Sequence, residues 1–153
     1  MEFERILKVD PLNDRAKLSL KIIEEVNDKK IEKQSAIHLF KGATYANKGL
    51  WDEAIAEVSK AIELNPRFVE AYFARGGAYL EGKGQYDKAV SDFSKAIEIN
   101  PGDADAYNNR GVAHYLNGDY DKAWKDVHKV ESLGDQVHPD FLKALREASG
   151  RQD

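Results

Sequence analysis

The chain contains no cysteine, which rules out both a disulfide framework and a thiolate metal site. It also lacks any apolar run long enough to span a bilayer. Its start, Met1-Glu2-Phe3-Glu4-Arg5, has none of the apolar core of an export signal. Membrane insertion is therefore not expected, and a cytoplasmic location is. Basic residues are in deficit: 23 Lys and Arg stand against 27 Asp and Glu, for a net charge of −4. Phosphate contacts need clustered Lys and Arg, so nucleic acid is not an expected partner. Proline is sparse, with four in 153 residues, and each sits where a helix should begin or end: Pro11, Pro66, Pro101 and Pro139. What is present is 42% hydrophobic and 33% charged, a balance that suits a soluble helical protein of one domain's length.

One short pattern is written three times between Ser35 and Val137. It reads His38, Gly42, Tyr45, Trp51, Ala54, Val58, Ala61, Pro66. It returns as Tyr72, Gly76, Tyr79, Tyr86, Ala89, Phe93, Ala96, Pro101, and again as Tyr107, Gly111, His114, Tyr120, Ala123, Val127, Val130. Gly42 and Gly76 are 34 apart and Gly76 and Gly111 are 35 apart; Ala54 and Ala89 are 35 apart and Ala89 and Ala123 are 34 apart. A fixed period of this size marks a stacked repeat array. Each repeat should be a helix hairpin. Glycine in a helix interior costs about 1 kcal/mol relative to alanine, so keeping it three times implies a crossing partner that leaves no room for a side chain. Gly49, Gly84 and Gly118 are placed to end the first helices in a left-handed turn, and Asn65-Pro66 and Asn100-Pro101 end the second ones. Repeat two carries one extra residue, expected in the turn Glu81-Gly82-Lys83-Gly84.

These residues resemble the tetratricopeptide repeat. Ala54-Ile55 to Leu64-Asn65-Pro66, Tyr86-Asp87-Lys88-Ala89 to Ile99-Asn100-Pro101 and Tyr107-Asn108-Asn109-Arg110-Gly111 carry the likeness, which covers about two-thirds of the chain. His38 and His114 depart from it, standing where the family favours Trp and Tyr. The resemblance implies an all-α fold, an antiparallel helix-hairpin solenoid wound as a right-handed superhelix. The units expected are 1–34 as an N-terminal helical cap or degenerate half-repeat, 35–68, 69–103 and 104–137 as repeats, and 138–153 as a capping helix and tail. Within the cap, Phe3, Ile6 and Leu7 share one edge of a short helix ended by Asp10-Pro11. An amphipathic helix from Asn13 to Asp28 follows, and Lys29-Lys30-Ile31-Glu32 is read as a link. At the far end Gly134-Asp135 breaks the chain and Pro139 starts a last helix. That helix turns Phe141, Leu142 and Leu145 to the stack and Asp140, Lys143, Arg146 and Glu147 to water. The tail from Ser149 is expected to fray.

Candidate chemistry is thin. Gly77 to Lys83 fits the spacing of a phosphate-binding loop, but Gly84 stands where such a loop needs Ser or Thr, and no strand precedes it. Of His38, His114, His128 and His138, no two are spaced as metal ligands on one helix turn, and the first two are expected as packing residues. Carboxylates such as Asp52-Glu53 and Asp87 fall on outward faces beside Lys. Trp51 and Trp124 occupy packing positions. No catalytic residue, metal or cofactor is expected, and the chain is not read as an enzyme.

The likeness implies instead a groove lined by the first helices of the repeats: Ala36, Leu39, Ala43 and Ala46; Glu70, Phe73, Gly77 and Leu80; Asp105, Asn108, Val112, Tyr115 and Leu116. This is an apolar trough with Glu70, Asp105 and Asn108 on one rim, suited to a protein or peptide partner. Family members that grip a peptide C-terminal carboxylate do so with Lys, Asn, Asn, Lys and Arg; here those places hold Leu39, Ala43, Ala74, Asp105 and Asn109. Members with an asparagine ladder would need Asn at the positions of Phe40 and Ala74 as well as Asn109. Neither subtype is expected. The leading expectation is a non-enzymatic adaptor binding a peptide in the trough; the alternative is a self-associating scaffold that uses its N-terminal helix.

Overall fold

The computed structural model describes residues 14–151, and every regular element in that range is helical: α1 (Asp14–Ala46), α2 (Trp51–Leu64), α3 (Val69–Gly77), α4 (Tyr86–Ile99), α5 (Ala104–Leu116), α6 (Tyr120–Ser132) and α7 (Pro139–Ser149). Each helix packs on the next, so α1–α2, α3–α4 and α5–α6 form successive hairpins and α7 closes the end. No helix among the described residues is long and apolar enough to cross a membrane.

The repeated small residues sit where the hairpins touch. Ala54, Ala89 and Ala123 are enclosed, as are Val58, Phe93 and Val127 one turn further along. A Cβ on Gly42 would lie 2.4 Å from Val58 Cγ2, and one on Gly76 would lie 2.8 Å from the Phe93 ring. At Gly111 the nearest atom would be 3.3 Å away, so the third crossing is looser. The turns out of the first helices are built alike. Leu50 N–H donates to Tyr45 C=O and Asp119 N–H to His114 C=O, each closing a loop over a glycine at positive φ.

Repeat two absorbs its extra residue differently from the sequence expectation. The insertion is not confined to the turn. It widens the end of the helix over Ala78–Gly82 into a single π turn, and the closing bond runs from Gln85 N–H to Tyr79 C=O, one residue longer than in its neighbours. The wider turn lays Gly82 on the Trp51 indole, 2.1 Å from where a Cβ would stand. A π turn of this kind lets a helix gain one residue without losing its line.

Two other expectations need correcting. Lys29-Lys30-Ile31-Glu32 is not a link: α1 is one helix of 33 residues, about 50 Å long at the usual rise, and residues 14–34 continue the first helix of repeat one. No Gly or Pro stands between Asp14 and Lys41 to stop it, and residues 27–34, Ile31 among them, are exposed up to the buried Ser35. The short helix expected at residues 2–9 and its Asp10-Pro11 stop lie outside the described residues. Nor is the chain loose from Ser149 to Arg151; the last two residues of the expected frayed tail lie outside the described residues. The Ser149 hydroxyl accepts from the buried Trp124 indole N–H at 3.0 Å, and Arg151 pairs with Asp121 at 2.8 Å. The last helix otherwise matches expectation, with Leu145 fully enclosed and Phe141 and Leu142 packed on α6. His138 caps it, its Nδ1 accepting from Asp140 N–H at 3.2 Å.

His114 is a histidine buried in the core. It stands where repeats one and two have Tyr45 and Tyr79, and its Nδ1 is enclosed without a hydrogen-bond partner among the described residues. Burial holds the imidazole below the usual histidine value, with Arg110 and Lys122 pushing the same way and Asp126 and Asp119 opposing. The unfolded chain therefore takes up a proton that the folded chain refuses. Stability is complete above about pH 6.5 and falls as the pH drops beneath it. Thermal melts at pH 7.5 and 5.5 should show the lower midpoint at pH 5.5, and His114→Tyr should remove most of the difference.

Candidate groove

On α3 and the π turn that continues it, Glu70, Phe73, Gly77 and Leu80 follow one stripe, while Tyr72, Gly76 and Tyr79 follow the stripe turned to α4. The same division on α5 separates Asp105, Asn108, Val112 and Tyr115 from Tyr107, Gly111 and His114. Glu70, Phe73 and Asp105 come together around one recess of about 370 Å³, completed by Arg67, Val69, Asn100 and Asp103. Phe73 is half-buried and meets Phe93 edge to face, with centroids 5.8 Å apart. A side chain at Gly77 would meet nothing within 4 Å, so the stripe is open at its centre. Ala43, Glu70, Asp105 and Leu116 are exposed, and Val112 is half-buried.

Three members of the expected stripe are drawn partly into packing. Leu39 lies against Val58, Ala61 and Ala71, and Leu80 against Ala89, Phe93 and Ala113. Tyr115 sits between Tyr120 and Phe141, with centroids 5.9 and 5.8 Å away. Asn108 is half-buried, and its carboxamide oxygen is enclosed without a partner among the described residues. The phosphate-loop spacing from Gly77 to Lys83 carries no such loop: the segment is helical, and Lys83 pairs with Asp52 at 2.8 Å.

The polar residues that do the most structural work were not singled out from the sequence. The Arg75 guanidinium grips Asp92 with two bonds, Nε to Oδ2 at 2.8 Å and Nη2 to Oδ1 at 2.7 Å, while Nη1 donates to Ser59 Oγ at 3.0 Å. One repeat on, Arg110 holds Asp126 at 2.9 and 2.7 Å and reaches Ser94 at 3.1 Å. Each rung thus joins α3 to α4, or α5 to α6, and ties that hairpin to the one before. The carboxylates raise the pKa of both guanidinium groups, against the effect of burial. Repeat one has Lys41 and Glu57 at the equivalent places, and there His38 Nδ1 bonds Glu57 directly at 2.8 Å, with Lys60 at 2.6 Å. Lys60 and then His38 draw the Glu57 carboxyl down to about 2. That bond explains why a histidine replaces the aromatic residue of the other repeats. The signal was in the sequence: Arg75 and Arg110 are 35 apart, Ser59 and Ser94 are 35 apart, and Asp92 and Asp126 are 34 apart, in phase with the glycines.

A family model described as TPR repeat matches residues 42–81 and 83–118. No match is found among curated proteins, but many solved structures share the fold. The first TPR of Spaghetti (RPAP3), bound to the HSP90 peptide SRMEEVD, is 26% identical with a TM-score of 0.70, covering 78% of this chain and 93% of that one. MamA is 27% identical with a TM-score of 0.63, covering 86% and 84%. The TPR2B domain of yeast Sti1, solved as a pHsp70 complex, is 20% identical with a TM-score of 0.69 over 78% and 99%, and at that identity it bears on the fold alone. No enzyme family is among these matches. The matched span breaks at Gly82, in the π-widened turn that holds the extra residue of repeat two, and on both sides of it this chain belongs to the tetratricopeptide-repeat family.

Proposed function

We propose that this chain is a non-catalytic binding module that takes a peptide segment of another protein along the stripe from Leu39 and Ala43, past Phe73, Gly77, Leu80 and Val112, to Tyr115 and Leu116. The observation that carries this reading is the recess shared by Glu70, Phe73 and Asp105. It joins the first helices of two repeats into one surface, apolar at its wall and polar at its rim, as peptide sites are. The RPAP3 domain, solved with a peptide bound, lends the reading support by likeness.

Gly77 supplies the test. Its backbone is helical, with φ −60° and ψ −44°, and the space beside it is empty. Gly77→Gln should therefore fold well and melt slightly higher, by the roughly 0.5–1 kcal/mol that glycine costs a helix. The new side chain would stand in the middle of the stripe. Peptides selected on the wild type from a random 12-residue library, displayed with no free C-terminus, should lose at least about tenfold in affinity for this variant. Equal affinity for both proteins would show that the peptides bind elsewhere.

A further inference from the structure

Acidic residues in the first turn of a helix are ordinary, because they offset the positive end of the helix dipole. In the second helices of this protein two such acids are also neutralised by a cation: Asp52 meets Lys83 and Asp121 meets Arg151, each at 2.8 Å. Glu70 in the first turn of α3 and Asp105 in the first turn of α5 differ. Neither has an ion pair among the described residues, both are exposed, and both line the same recess. Asp103 adds a third carboxylate, one oxygen of which accepts from Ala106 N–H at 3.2 Å. Arg67 is the one cation lining the recess, and Val69 and Phe73 form its apolar wall. Along the whole groove stripe the charged residues, Glu70 and Asp105, are acidic.

We propose that this recess receives a Lys or Arg side chain of the bound peptide, so that the groove selects cationic segments with apolar neighbours. The inference rests on the groove reading above. The aliphatic stem of such a side chain would lie on Val69 and Phe73, as long basic side chains cover apolar surface while keeping the charge at the rim. The ammonium or guanidinium group would then reach Glu70 and Asp105, neither of which forms an ion pair among the described residues although Arg67 lines the same recess. An acidic tail without a basic residue, such as SGPTIEEVD, meets the Glu70 and Asp105 carboxylates at the same place.

The library selection described above is run on the full chain as wild type, as Glu70→Gln/Asp105→Asn and as Gly77→Gln, with circular dichroism to confirm equal helicity. Peptides enriched on the wild type should share a Lys or Arg beside apolar residues. Replacing that residue by norleucine should weaken binding about ten- to a hundredfold, as loss of a charge-assisted contact does. The neutralised double variant should lose a similar factor, and the acidic peptide SGPTIEEVD, which has no Lys or Arg, should not bind the wild type measurably. Enriched peptides that lack a basic residue, or that bind the neutralised variant as well as the wild type yet fail on Gly77→Gln, would overturn the cationic inference and leave the groove reading standing. No enrichment, or binding untouched by Gly77→Gln, would overturn the groove reading and this inference with it. A wild type that sediments as a dimer while Gly77→Gln sediments as a monomer would make a second copy the occupant, and the cationic inference would fall.

Discussion

Gly76→Leu is expected to lower the melting temperature by roughly 6 °C, while the neighbouring Gly77→Gln raises it. The two glycines are adjacent in sequence and opposite in situation. A Cβ on Gly76 would come within 2.8 Å of Phe93 Cε1 and 3.0 Å of Cζ, and Phe93 is itself 1% exposed, so its ring has nowhere to go. Overpacking a tight core costs about 1–3 kcal/mol, occasionally more. The helix gains back at most about 1 kcal/mol for losing a glycine. The clash wins at Gly76, and a net loss of about 2 kcal/mol corresponds to roughly 4–8 °C for a chain of this size. Gly42→Leu should be as damaging or worse, since its Cβ would also lie 3.1 Å from the Ala54 carbonyl oxygen, which is backbone and cannot swing aside. Gly111→Ala should be nearly neutral, because its closest neighbour would be 3.3 Å away and the two effects then cancel. Thermal denaturation followed at 222 nm ranks the four. A Gly76→Leu protein melting with the wild type would mean that the hairpins do not cross where the repeat pattern places them.

The stack was legible because its cause is local and repeated. A backbone crossing needs a small residue in the same place each time, and Gly42, Gly76, Gly111, Ala54, Ala89 and Ala123 announce it by phase alone. The end of the array was legible for a similar reason, since Gly134 follows the end of α6 and Pro139 and Leu145 belong to the one short helix α7. What escaped were features set by more than one element. Nothing between Asp14 and Lys41 breaks a helix, so continuity there follows from the absence of a stop, which a repeat-by-repeat reading overlooks. The π turn at Ala78–Gly82 depends on where Trp51 of the preceding hairpin needs a bare backbone. The groove was half legible. Periodicity puts Glu70, Phe73, Gly77 and Asp105 on one stripe, but it does not tell that Phe141 and Tyr120 close on Tyr115, or that Leu39 and Leu80 lean into the core. The Arg–Asp rungs fell between the two cases. Their spacing is as regular as that of the glycines, yet charged residues at helical intervals default to a solvated face.

Those rungs set the other large expected effect. Asp92→Ala should cost about 2–4 kcal/mol, because it strips a half-buried guanidinium of the carboxylate that receives two of its bonds. Breaking a fully buried pair from one side costs about 3–5 kcal/mol. The Asp92 side chain is 6% exposed, but that of Arg75 keeps 22%, so water recovers part of the loss. Ser59→Ala, which removes only the single bond to the preceding hairpin, should cost about 1 kcal/mol. Removing both charges together should restore much of the stability, since apolar groups of similar volume often replace a buried pair at little cost. Arg75→Met/Asp92→Leu is therefore expected to melt well above Asp92→Ala, and Arg110→Met/Asp126→Leu above Asp126→Ala. The rung also links neighbours, and in a stacked array stability resides in such interfaces as much as in the repeats themselves. Ser59→Ala, which cuts the bond between hairpins, should accordingly broaden the urea transition as the first hairpin loosens from the second, although its loss of stability is the smaller. If the single and double variants lose the same stability, the uncompensated charge is not the reason. Asp92 and Arg75 would then matter only for the space they fill between α3 and α4.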